Sequence, residues 1–443
     1  MKTMRMRATG AVVAVLAALS PVLPAKALAV PLAAAGPAFS PPPVTQSQPL
    51  RIVSWFTTVA DSAGNTWEPD ASYAIGGAIP PATSSSISGT SSQALYKHAR
   101  IGGSGYSIPV QDPGTYFVDI YSAEIQGAQP GARRWDVTAE GQRAATAIDV
   151  AHTAGQNRAW HVMFSVRVTD GSLDLTLVPR KGQPLVTALE VDYESSATAP
   201  QNVLDDEFNG GYGQPPKPSI WTHNVGGKGW GNGMREYDTA RIKNSALDGN
   251  GHLNIVARRE AYTGTDGIAR NWTSARLTTA DHFTFEYGTA SARIRVPSGT
   301  GLWPAFWGLG ANFQQVKWPE CGEMDVLETR GKNPNFVYGA LHALRQQSDT
   351  WTKAEKLLQP QPLSRGFHVY GLVWGPSGIA LSFDHRTFLT FSTADVAAGN
   401  HWNFDHPFYL LLDLAVGGRW AGAPDKTTPN VNVMSIDYVR VSA

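Results

Sequence analysis

W-P-E-C-G-E-M-D-V-L-E-T-R-G, residues 318–331, is the stretch from which the fold can be read outward. Beyond Glu320 it sets three carboxylates, Glu323, Asp325 and Glu328, among Met324, Val326 and Leu327, apolar residues suited to a sheet. Side chains of a strand alternate between its faces, so Glu323 and Asp325 share one. Glu328 lies five residues after Glu323 and would face the other way in a regular strand. One β-bulge adds a residue and returns it to the first face. The expectation is therefore a row of three carboxylates on one side of a sheet. Buried carboxylates without partners are too costly for an ordinary core. Taken alone, the row fits either a solvated acidic strand face or a pair of carboxyl groups flanking a scissile glycosidic bond. In the second case a separation of about 5–5.5 Å implies retention of configuration and about 6.5–9.5 Å implies inversion.

The surrounding sequence separates these readings. Upstream stands G-L-W-P-A-F-W-G-L-G (residues 301–310), downstream G-A-L-H-A-L (339–344), and later L-D-L-A-V-G-G-R-W-A-G (412–422). Together these motifs resemble the secreted endo-β-1,3-glucanases (laminarinases) of glycoside hydrolase family 16, from about Leu204 to Val441. The resemblance implies a concanavalin-like jelly-roll sandwich of two curved antiparallel sheets, with substrate across the concave one. It implies roles for the motif E-x-D-x-x-E: Glu323 as nucleophile, Glu328 as general acid and then base, and Asp325 as the group that holds the nucleophile. Such chemistry needs two carboxyls with separated pKa values, which adjacent negative charges promote. The two residues between Asp325 and Glu328 match the laminarinase, agarase and carrageenase branches, not the shorter E-x-D-x-E of the lichenases.

By the same match Trp303, Trp307, Trp318, Trp420, His342, Asn232, Glu236, Tyr237 and Arg293 are expected to contact sugar, with Arg276 as a further matched position. One departure stands out. Laminarinases commonly read G-W-G-N-x-E-x-Q-Y-Y-T, whereas residues 229–239 here read G-W-G-N-G-M-R-E-Y-D-T. Met234 replaces a Glu and Glu236 a Gln, which leaves another activity of the fold, such as agarase, carrageenase or β-1,3-galactanase, as the alternative. A transglycosylase or a non-catalytic glucan-binding lectin are further ones. Family members often carry a structural Ca²⁺; the matching positions are Glu207 and Gly251, through their carbonyls, and Asp437. Catalysis is expected to need no cofactor.

The first half of the chain reads differently. Alternating runs such as T-Y-F-V-D-I-Y (115–121) and V-M-F-S-V-R-V (162–168) between Gly, Pro and Asn signals predict a β-sandwich. The stretches 61–67, 94–100, 106–110 and 113–125 resemble the malectin-like carbohydrate-binding domains. That resemblance implies aromatic stacking on sugars, for which Trp67, Tyr96 and Tyr106 are the expected groups; Glu124 is expected to be structural. The chain is thus read as all-β, with a signal peptide (1–29), an Ala/Pro-rich spacer (30–49), a malectin-like domain (50–194), a linker (195–202) and a catalytic domain (203–443).

Composition agrees. The 443 residues suit two domains, and 36 basic against 36 acidic residues give no net charge. No basic stripe points to nucleic acid or a membrane surface, and a polysaccharide partner and a monomer are expected. Lys2, Arg5 and Arg7 precede an apolar run and then A-K-A-L-A (25–29), the pattern of a secretory signal. The single cysteine, Cys321, is expected to be a buried small hydrophobe and not a reactive thiol.

Overall fold

A computed structural model describes residues 41–195, 202–345, 349–397 and 399–442. The expected signal peptide, most of the spacer and most of the linker lie outside these. Residues 41–443 form one compact body built almost entirely of strands.

Residues 41–195 form two six-stranded sheets. Three strands of the first recur below: β1 (Gly114–Ser122), β2 (Trp160–Val168) and β3 (Ala188–Ser195), with β1 paired antiparallel to both others. Inward residues such as Ile52, Val118, Ile120, Trp135, Leu175 and Val191 fill the space between the sheets. The three aromatics expected on sugar-facing loops are inside. Trp67, Tyr96 and Tyr106 are 0–1% exposed. Their polar ends are satisfied internally: the Trp67 indole N–H donates to Asp61, the Tyr106 hydroxyl donates to Asp70, and the Tyr96 hydroxyl meets His161. No pyranose can stack on a ring with no free face, so the expectation for these three is corrected. Glu124 is structural as expected, buried and paired with Arg133.

The second half forms a seven-stranded and a ten-stranded sheet around one core. Its strands include β4 (Thr222–His223), β5 (Arg276–Thr278), β6 (Gly288–Arg295), β7 (Leu302–Gly310), β8 (Glu323–Glu328), β9 (Phe336–Arg345), β10 (Asp349–Leu358), β11 (His368–Gly375), β12 (Gly378–Phe383), β13 (Arg386–Ser392), β14 (Phe408–Val416) and β15 (Val431–Ser442). The seven-stranded sheet runs β4-β5-β14-β7-β8-β9-β10, and β15-β6-β11-β12-β13 is the main run of the other. Alternation drives the sandwich: Ala290, Ala292 and Ile294 of β6 point into the core, as do Met324 and Leu327 of β8.

The bulge falls where the carboxylate spacing requires it. On β7, Trp307 opposes Asp325, Phe306 opposes Leu327 and Ala305 opposes Glu328, so Val326 has no partner. A matching register shift separates Asp325–Ala340 from Glu328–Tyr338 on β9. Val326 is fully buried in the core, so the extra residue is anchored by apolar burial.

Candidate active site

Register places the carboxylates in rows across the seven-stranded sheet. Glu323 lies between Leu309 and His342, with Thr352 beyond the histidine. Asp325 lies between Trp307 and Ala340. Glu328 lies between Ala305 and Tyr338, and beyond Ala305 come Asp413 and then Arg276. All these side chains share the face away from the core, as period two together with the bulge at Val326 requires.

Hydrogen bonds fix the three acids. Glu323 and Asp325 bond to each other, and the Trp318 indole acts on Glu323. The His342 Nε2 lies 3.2 Å from Asp325 Oδ2, and its Nδ1 lies 2.8 Å from the Thr352 hydroxyl. One ligand atom each from Glu323, Asp325 and His342 lie within 4.8 Å of one another. The Trp303 indole N–H donates to Glu328 Oε1 at 2.7 Å. Trp303 was expected to contact sugar; at 9% exposure its larger contribution is to orient the acid.

Neighbouring carboxylates and a desolvated site push all three upward. Burial, reinforced by Asp325, raises Glu323 to about 8, against opposing pulls from His342 and the Trp318 indole. Burial raises Asp325 to about 7, with Asp413 adding to it and the Glu323 hydrogen bond opposing. Glu328 is raised well above the carboxylate range by burial and then by Asp325, and the Trp303 hydrogen bond only partly offsets this. The cluster therefore carries fewer than three charges near neutrality. Glu328 holds its proton most firmly, as a general acid must, while the Glu323–Asp325 pair is the first to ionise.

Rings form the walls of the cleft. Trp318 is 48% exposed, with its ring 6.3 Å from that of His342. Trp420 lies 5.1 Å from Trp303 and 5.0 Å from Tyr338, under the Arg330 guanidinium. On the other side Arg276 sits between Trp230 and Trp307, 4.7 and 4.8 Å from the ring centroids. The Trp307 indole N–H donates to Asp413, a fourth carboxylate on this face. Asn232 is exposed on the turn whose backbone meets the Trp303 side of the cleft, its carbonyl accepting from Arg419. Met234, the departure from the laminarinase pattern, is buried in an apolar cluster with Trp303, Ala415, Ala421 and Trp420.

Three expected sugar contacts are corrected. Glu236 is 2% exposed, and its carboxylate accepts the backbone N–H groups of Arg235 and Val416. Tyr237 is buried, with its hydroxyl on Asp266. Arg293 alternates outward from β6, on the sheet opposite the cleft, where it pairs with Asp437. That pair also bears on the expected Ca²⁺ position. Asp437 faces Arg293 and, at 3.9 Å, His252, while the Glu207 carboxylate pairs with Arg440. Asp437, the one side-chain ligand of the expected set, is thus engaged by a guanidinium, while Glu207 and Gly251 were expected to contribute their backbone carbonyls, which these side-chain pairs leave untouched. Cys321 is buried beside Leu309 and Leu411, with burial pushing its thiol up to about 12, as expected of an inert residue.

Asp413, Trp230, Tyr338 and Thr352 were not singled out from sequence. Asp413 had a usable signal, a lone charge in the apolar run 410–416.

The arrangement is shared with known proteins. The malectin domain profile matches residues 50–196, and the glycosyl hydrolases family 16 profile matches 234–440. A beta-glucanase of Rhodothermus marinus is 37% identical over 247 residues, covering 54% of this chain and 84% of its own length. The chain belongs to glycosyl hydrolase family 16. Among solved structures, an endo-β-1,3-glucanase of Pyrococcus furiosus is 39% identical with a TM-score of 0.51, over 55% of this chain and 94% of that one. The laminarinase catalytic domain of Thermotoga maritima is 37% identical with a TM-score of 0.50, over 55% and 97%. The protein is thus a glycoside hydrolase whose family 16 half carries the acids described above, preceded by a malectin domain.

Proposed function

We propose that this protein is a secreted, retaining endo-β-1,3-glucanase that cleaves laminarin-type glucans by double displacement. The observation that carries this is the bulge at Val326, which turns Glu328 onto the face of Glu323 and Asp325 within one cleft. Glu323 attacks the anomeric carbon while Glu328 protonates the departing oxygen, giving a glycosyl-enzyme ester. Glu328, now ionised, takes a proton from water, which attacks the same carbon and frees Glu323. Asp325 shares the proton and charge of Glu323, with His342 holding Asp325 and Thr352 holding His342. Trp303 keeps the Glu328 carboxyl aimed at the bond. These steps use carboxyl groups and water alone and call for no cofactor.

The β-1,3 linkage is supported by the named activities of the Pyrococcus and Thermotoga relatives. Export is supported by the basic, then apolar, then small-residue order of residues 1–29. The test is product analysis of the purified protein on laminarin, curdlan, barley mixed-linkage glucan, agarose and β-1,3-galactan. Short β-1,3-gluco-oligosaccharides from laminarin are the expected result. Products from a galactan with none from laminarin would keep the acids and overturn the substrate, and Met234 beneath Trp303 and Trp420 would be the first residue to exchange.

A further inference from the structure

The face of the malectin domain that carries Tyr96 and His161 is covered by the catalytic half of the same chain. Strand β2 lies against β11, β12 and β13. Phe117 and Met163 pack with Val373 and Ala380, and the Phe117 ring sits directly on Gly375, where a Cβ would come within 2.2 Å of it. Polar groups line the rest, around a cavity of about 130 Å³ bordered by Arg158, His161, Lys353, Glu355 and Asp395. Ser377 donates to Asp192, and the hydroxyls of Ser62 and Ser92 both reach the Ala394 carbonyl. At the centre His161 bridges the two halves, with Nδ1 3.0 Å from Asp119 and Nε2 3.1 Å from Asp395. Burial works against charge on this imidazole, but Asp119 and Asp395 overcome it and hold its pKa at about 10. A desolvated carboxylate–imidazolium–carboxylate set is stable only with every member in place.

The same junction reaches the catalytic sheet. Strand β10 is the outer strand of that sheet, with β9 as its one partner there. Glu355 of β10 pairs with Arg158 of the malectin domain at 2.6 Å. Three residues earlier on β10, Thr352 holds His342, which holds Asp325.

We propose that the malectin domain acts as a fixed brace on the outer edge of the catalytic sheet, with its polar-aromatic face covered by the catalytic half, and not as a separately acting sugar-capture module. It sets the register of β10 and through it the position of His342. This rests on the active-site reading for its kinetic readout, but not for its physical one.

The test uses the full-length protein and Gly375→Val, which wedges Phe117 off the junction without touching the cleft. Wild type is expected to unfold in one calorimetric transition and to show a compact scattering profile. The variant is expected to show two transitions and a larger radius of gyration. Its turnover of soluble laminari-oligosaccharides should fall at least about threefold, as expected when a supporting group moves a catalytic residue. If Gly375→Val does not fold, Ser377→Ala is measured in the same way. Separated domains with unchanged turnover on soluble substrate, or two transitions in the wild type, would overturn the proposal. Failure of the glucanase reading would remove activity from every sample while leaving unfolding and scattering to decide this one.

Discussion

Two of the buried acid clusters among the described residues are built on opposite terms. At the domain junction Asp119 and Asp395 are buried around His161, and each negative charge has a cation or hydrogen-bond donor beside it. In the cleft Glu323, Asp325 and Glu328 are buried around one another, with a single imidazole and two indole N–H groups between them. The consequence shows in the protonation states. Asp395 is held below the usual range, because His161 outweighs its burial, and at Asp119 burial still raises the carboxyl against the pull of His161, while all three cleft acids are driven up. Compensated charge fixes structure; uncompensated charge is kept where a proton must move.

The sharpest break of this comparison comes from the cleft. Glu323→Gln and Glu328→Gln should each lower kcat on laminarin by at least about a thousandfold, with circular dichroism unchanged. Residual turnover near wild type in Glu323→Gln would remove the nucleophile from the account. At the junction the expectation reverses: His161→Ala strands two carboxylates and should destabilise the protein by about 3–5 kcal/mol in urea unfolding. A loss below 1 kcal/mol, on the order of a surface pair, would mean the junction is not a closed ionic set.

A smaller effect tests the indole on the acid. The Trp303 hydrogen bond pulls the Glu328 pKa down, so Trp303→Phe should raise it and move the alkaline limb of kcat/KM to higher pH, by about one unit. A limb that stays or moves to lower pH contradicts the assignment of Glu328 as acid. The smallest effect is on stability. Glu323 titrates at about 8 in the fold and at about 4.3 when unfolded. The folded state therefore keeps a proton that the unfolded chain releases, and stability is lost as pH rises through that window. Glu323→Gln removes this loss, so its Tm advantage over wild type should grow from pH 5 to pH 9. An advantage that shrinks with pH would mean Glu323 is not desolvated.

The comparison also explains what could be read from sequence. The cleft was legible because its acids are local: the spacing of Glu323, Asp325 and Glu328 contains the bulge, and strand parity does the rest. His342, Trp307 and Trp420 were placed by motifs around them. Arg293 and Tyr237 were misplaced because matching a motif gives position along the chain, not the face a side chain takes; Arg293 points outward from the opposite sheet. Glu236 was misplaced because a carboxylate that accepts two backbone N–H groups looks the same in sequence as one that meets sugar. The junction was illegible for a different reason. His161, Asp119 and Asp395 are brought together by long-range packing between two domains, and no spacing records that. Tyr96 reads as a sugar-stacking ring along the chain, whereas in the fold it is a buried partner of His161, 65 residues away in sequence.

The most direct test of the central claim is the anomeric configuration of the first product, followed by proton NMR while laminari-oligosaccharide is cleaved. Glu323 as nucleophile and Glu328 as acid on one bulged strand predict that the β-anomer appears first and mutarotates afterwards. Initial release of the α-anomer would show that water, not Glu323, attacks the sugar, and would contradict the account.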